Sequence, residues 1–142
     1  MEANFDLGKI NLDLTKELNL AGQIIHKDHI HRLERGLDVN NNQMTPLKDA
    51  TIKRKGFNQI LVDKGEMRNL NIKKATKSKQ EVILNPGDKK KRGKVTSKEI
   101  GTFHQFGKGN NPKREWFGIS ERASKDATKM IEMRIAKELK NA

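Results

Sequence analysis

Residues 101–120 read GTFHQFGKGNNPKREWFGIS. They hold four of the six aromatic side chains (Phe103, Phe106, Trp116, Phe117), the single tryptophan, and Gly or Pro at five positions. Each buried aromatic removes roughly 150–250 Å² from water. In a chain this poor in aromatics, their clustering marks where folding free energy is concentrated, so the segment is expected to run back through the core with helices closing over it. Thr96 followed by Glu99 is a capping box, which opens a short helix over about 97–105. Gly107 to Asn111 reads as a loop and Arg114 to Ile119 as a strand. Alternation along that strand sets Trp116 and Phe117 on opposite faces, one toward the core and one toward an interface. Pro112 fixes the backbone ahead of it, and Arg114 has the fork to bridge carboxylates or carbonyls bidentately. Ser120 then caps a last helix whose apolar face is Ala123, Ala127, Met130, Ile131, Ile135 and Leu139.

Working outward, Leu14, Leu18, Ala21 and Ile25 fall at spacings of three and four, and Ile24, Ile30, Leu33 and Leu37 widen the stripe. That is a long amphipathic helix from Asp13, its cap, to about Leu37, ended by Gly36 or the Asn40–Asn42 run. Thr45-Pro46 is a second helix start, for a short basic helix to Lys55 stopped by Gly56. Asp63-Lys64-Gly65 reads as a turn, with Met67 and Leu70 on one helical turn after it. Ile72 and Val82–Leu84 then flank a polar stretch as a β-hairpin ended by Pro86-Gly87. Gly87 to Lys94 has no apolar residue and reads as a mobile loop. The order α-α-β-β-α-β-α predicts one α+β domain over 1–142: a small, mainly antiparallel sheet, a long N-terminal helix, short middle helices and a C-terminal helix on one side.

Composition narrows the function classes. A chain of 142 residues buries roughly two-thirds of its unfolded surface. With 33% hydrophobic against 34% charged residues, the core is small, and such chains complete their burial against copies or partners. No apolar run reaches transmembrane length, the N-terminal residues are not those of a signal peptide, and without cysteine there is neither disulfide nor thiolate metal site. The net charge of +12 is uneven: Lys73 to Lys98 carries ten bases against two acids, the rest twenty against sixteen. This arm, about 73–98, reads either as a solvated loop or as an electrostatic footprint for phosphates or an acidic surface.

Candidate chemistry is sparse. His26, His29 and His31 with Asp28 and Glu34 have the look of a metal cluster, but His31 lies off the face that His26 and His29 share, so they read as imidazoles on a solvated helix. His104 has no neighbouring nucleophile or acid and is expected to donate to a backbone carbonyl and pack against Phe. The acids are scattered within reach of Lys or Arg, and no Gly-rich phosphate loop is present. No catalytic residue, cofactor or metal is expected. The arm has no aromatics to stack bases, so any contact with nucleic acid through Lys89, Lys90, Lys91, Arg92 and Lys94 would be electrostatic.

Three stretches in order resemble one family, the phage virion-morphogenesis or tail-completion proteins. MTPLKDATIKRKG (44–56) is similar to that family's Pro-Leu, Thr-x-x-Arg-Lys segment, with Met44 in place of a usual Trp. ILVDKGEMRNLNI (60–72) resembles its Leu-x-Asp-x-Gly-x-Leu turn, with Met67 at the Leu position. FHQFG and PKREWFGIS resemble its His-Gln-Phe-Gly and Pro-x-Arg-x-aromatic-x-Gly-x-Ser block, at His104, Gln105, Phe106, Gly107, Pro112, Arg114, Trp116, Gly118 and Ser120. Thr102-Phe103 departs from its more usual Tyr-Ala. The resemblance implies a structural protein of the virion neck or tail end, assembled in the host cytoplasm. It implies a homo-oligomeric ring, a hexamer in first place, that completes or terminates the tail, meets the tail tube and the head connector, and contacts no membrane. Phe117 and the block residues would then be structural or interfacial, and the basic arm would rim the channel for packaged DNA or hold an acidic neighbour. The alternative is a small basic nucleic-acid-binding protein that uses the 73–98 arm.

Overall fold

A computed structural model describes residues 12–56, 67–86, 90–91 and 95–141. Among the described residues the fold is a small α+β arrangement of four helices and short antiparallel ladders. In chain order these are α1 (Thr15–Glu34), α2 (Asp49–Lys55), β1 (Leu70–Lys73), β2 (Ile83–Pro86), β3 (Lys90–Lys91), β4 (Val95–Thr96), α3 (Ser97–Phe106) and α4 (Glu121–Asn141). β1 pairs with β2, Ile72 opposite Leu84, and β3 pairs with β4, Lys90 opposite Thr96. The expected loop over 87–94 therefore includes a two-residue ladder at Lys90–Lys91. Lys89, Arg92 and Lys94, and the expected turn at 63–65, lie outside the described residues.

Local signals explain most boundaries. Thr96 and Glu99 exchange both bonds of a capping box, and Gly107 closes α3 in the left-handed region at φ 64°. The Ser120 hydroxyl accepts from the Ala123 amide and so caps α4. α1 ends in a Schellman arrangement: Leu37 N–H donates to Arg32 O (2.8 Å) and Gly36 N–H to Leu33 O (3.2 Å), with Gly36 at φ 68°. At its start the N-cap position is Leu14, with no side-chain cap, and not Asp13 as expected; Asp13, one residue earlier, accepts from both the amide and the hydroxyl of Thr15. The second helix begins at Asp49, not Pro46, and Thr45 does not cap it; the carbonyls of Thr45 and Pro46 are instead held by Arg114.

α1 and α4 run antiparallel, with Ser120 beside Asp28 at one end and Arg134 beside Glu17 at the other. Ala123 and Ala127 bury the first part of the α4 face, while Met130, Ile131 and Ile135 are half-buried and Leu139 is exposed. The core proper is Leu33, Met44, Met67, Leu70 and Trp116, with Leu47, Leu84 and Phe117 against its edge. The aromatic segment enters it only in part. Trp116 is 1% exposed, but Phe103 is 39% and Phe106 64% exposed. Nor does Arg114 to Ile119 form a strand: residues 111–116 belong to no ladder and 117–118 bend. An apolar, alternating sequence gives a strand only when a neighbouring backbone offers its groups, and here side chains take that place.

Candidate functional site

The residues of the 104–120 block meet around that strandless segment, and almost every backbone group between Arg114 and Gly118 is bound by something other than a strand. Gln105 extends from α3 so that its amide faces the peptide of Phe117, donating to Phe117 O (3.2 Å) and accepting from Phe117 N (3.0 Å). Arg32 extends from α1, donating Nη1 to Trp116 O and Nη2 to Gly118 O, each at 3.2 Å. Its Nε donates to Asp28 (3.0 Å), whose same oxygen accepts from Ser120 Oγ at 2.7 Å. Arg114 N–H donates to His104 O, and Val39 N–H to Glu115 O. The Gln105 amide thus stands in for a strand partner of Phe117, and the fork of Arg32 for the partners of the Trp116 and Gly118 carbonyls.

Arg114 is the second buried guanidinium, 5% exposed. Its Nε donates to Thr45 O (2.8 Å) and its Nη2 to Pro46 O (3.2 Å), so of the two acceptor classes expected for it, carbonyls fill the role. Burial lowers its pKa from the ordinary value. His104 Nδ1 lies 3.4 Å from Arg114 Nη1, which has no lone pair, so the imidazole nitrogen accepts and the ring proton sits on Nε2. Pro112 is half-buried ahead of this lock, and a Cβ on Gly107 would lie 3.1 Å from the Lys113 backbone. Trp116 is held from both sides: its indole N–H donates to Gly101 O (2.8 Å), and its ring is tilted against those of His29 and Phe117, each 5.6 Å away. A Cβ on Gly101 would collide with the indole, so the small residue is required there.

The helix histidines are the principal correction to the sequence reading. His29 is 1% exposed, and its Nε2–H donates to Met67 O at 2.9 Å. His26 Nε2 accepts from the Leu70 amide at 3.2 Å. Both fasten α1 to the start of β1, and only His31 lies on the exposed side. Desolvation pushes the His29 pKa down to about 4. Among the described residues no group of three or more His, Asp or Glu side chains is placed to hold a metal ion. A signal for the buried roles was present: Ala21, Ile25, His29 and Leu33 follow at spacings of four, and Arg32 adjoins them. The apolar stripe of α1 simply continues through polar residues whose partners are backbone groups distant in sequence.

What the arrangement does chemically is hold a loop rigid. The polar block residues Gln105, Arg114 and Ser120 spend their bonds inside the molecule, on Phe117, on Thr45 and Pro46, and on Asp28, while Phe103 and Phe106, three apart on α3, and Ile119 (57% exposed) face outward. Phe106 is thus separated from its motif neighbours Gln105 and Gly107, and Lys90 and Lys91 stand apart from the lock in their own ladder. Among the described residues no helix is long and apolar enough to cross a membrane. No family model, no curated protein and no solved structure matches this chain.

Proposed function

We propose that this chain is a structural subunit of a phage neck or tail end, a ring-forming protein that completes or terminates the tail and offers the joining surface for the head. The observation that carries the reading is the contrast within the 101–120 block. Its polar residues lock the backbone from within, and the apolar side chains left over, Phe103, Phe106 and Ile119, are presented to solvent on that rigid base. Exposed aromatics on a preorganised surface suit an interface between subunits, because little order has to be lost on association. A head-to-tail contact of this kind closes into a ring when the rotation permits. The ordered resemblance of the three stretches adds the neck or tail end as the place.

The native mass of the purified protein, followed from low to physiological salt, tests this. A discrete ring-sized oligomer, a hexamer foremost, is expected, with Phe106→Ser shifting it toward monomer while helical content is kept. A wild-type protein that stays monomeric at every salt concentration, and also in the presence of purified tails, would sink the reading.

A further inference from the structure

Among its described residues the basic segment 73–98 holds the β1–β2 turn and the β3–β4 ladder, and the turn is a built surface. Between β1 and β2 the chain closes a tight turn: Thr76 N–H donates to Lys79 O (2.9 Å) and Lys79 N–H to Thr76 O (3.1 Å), with Lys77 and Ser78 at the tip. The turn is bolted to α1 at two points. The Asn19 amide takes both backbone groups of the buried Ala75, accepting from its N–H (2.8 Å) and donating to its C=O (3.3 Å). Gln80 accepts from the Leu14 amide at 2.7 Å and donates to Thr15 Oγ1 (2.7 Å) and Thr76 O (2.8 Å), so it joins the start of α1 to the inside of the turn. What this framework presents outward is Lys73, Lys74, Lys77 and Lys79, all exposed. Lys79 has Glu81 3.6 Å away across a solvated ion pair, whereas Lys73 and Lys74 make no ion pair among the described residues. Lys77 is within electrostatic reach of Asp13, whose carboxylate also accepts from Thr15 and Gln80.

We infer that the 73–79 turn is a phosphate-contacting surface for the backbone of a nucleic acid, read without regard to sequence. One observation favours that partner over an acidic protein, and a second favours binding as such. First, the turn exposes no apolar or aromatic side chain, its one apolar residue, Ala75, being 5% exposed, and protein interfaces are anchored by such residues and depleted in lysine. Phosphate contacts need neither, since the gain comes from counterion release. Second, the turn is fixed before binding, so the lysine stems start from defined positions. The inference stands whether or not the chain forms a ring. In a ring it would place the charge on the turn rather than on the β3–β4 ladder.

The test is fluorescence anisotropy of a labelled 20-base-pair duplex titrated with the full chain from 50 to 200 mM KCl. Lys74→Gln/Lys77→Gln is compared with wild type and with Lys129→Gln/Lys137→Gln on α4, which removes the same charge elsewhere. Two lost phosphate contacts lower the slope of log K against log salt by about 1.8, so affinity falls about tenfold less across that range. The control pair keeps the wild-type slope. Equal effects of the two variants would reduce the binding to net charge and overturn the inference. So would a wild-type protein that fails to bind the duplex at 50 mM KCl, or one that prefers polyglutamate of equal charge. Ring formation is read separately by native mass, so each idea fails on its own.

Discussion

At the scale of single residues, the interior is held by polar side chains in positions where an apolar residue would ordinarily sit. Arg32 is fully buried, yet each of its nitrogens has a clear partner: one carboxylate and two carbonyls. A buried charge is tolerated when its hydrogen bonds are complete, and the planar fork suits two carbonyls of one bend better than an ammonium would. His29 is buried in the neutral form, its pKa brought to about 4 first by desolvation, with Arg32 and His26 lowering it further and Met67 O and Asp28 opposing. Because the folded pKa lies below the ordinary 6.5, the unfolded chain binds the extra proton between those values. Stability is therefore intact above about pH 6.5 and is lost as the pH falls toward 4, by up to about 3 kcal/mol. Urea midpoints at pH 7.5 and 4.5 check this. Wild type is expected to lose more than His29→Gln over the interval, since the variant lacks the group that must take up a proton. Equal losses would mean that His29 is not the residue responsible.

At the scale of elements, the helices were legible in sequence and the would-be strand was not. The Thr96–Glu99 box, Gly107 and Ser120 act within a few residues of themselves, so α3 and α4 begin and end close to where local rules put them. The β1–β2 hairpin follows for the same reason. Residues 114–119 also have the composition of a strand, but their backbone partners are Arg32, more than eighty residues away, and Gln105 on the preceding helix. Nothing local distinguishes a carbonyl that a strand will bind from one that a guanidinium will bind. Likewise Pro46 had the form of a helix start and lost that role to Arg114. Of the candidate site, Gln105, Arg114, Trp116, Gly118 and Ser120 come together and Phe106 does not, and the two residues of α1 that meet them, His29 and Arg32, were hidden within an ordinary amphipathic stripe. If Gln105 truly replaces a strand partner, its truncation must unpair two backbone groups at once. Gln105→Ala is expected to cost about 2 kcal/mol in chemical denaturation, and Gln105→Glu more than half of that, because a carboxylate can accept from Phe117 N–H but cannot donate to its carbonyl. A loss below about 0.5 kcal/mol for Gln105→Ala would show that the segment is held without it.

At the scale of the whole molecule, α1 takes the place that a sheet has in most α+β folds. Along its length Asn19 binds Ala75, His26 and His29 bind Leu70 and Met67, Arg32 binds the 116–118 bend, and Glu17 meets Arg134 of α4. Two-residue and four-residue ladders bury too little to stand alone. The β1–β2 hairpin, the 116–118 bend and α4 are instead stable because each is fastened to the same helix, which makes the hydrogen bonds of one piece depend on the others through α1. Such a hub predicts a single cooperative transition. Trp116 is the sole tryptophan and sits where α1, α3 and the 114–118 segment meet, so its fluorescence reports the joints, while far-ultraviolet circular dichroism reports the helices. Both signals are expected to change together in urea, at one midpoint. Arg32→Met removes the bonds to the bend and leaves Asp28 with the Ser120 hydroxyl alone, at a cost of about 3 kcal/mol. It is expected to lower both midpoints equally. If α4 and α1 were instead an independent helical pair with the rest draped over it, tryptophan would report unfolding at lower urea than helicity does, and Arg32→Met would widen the gap.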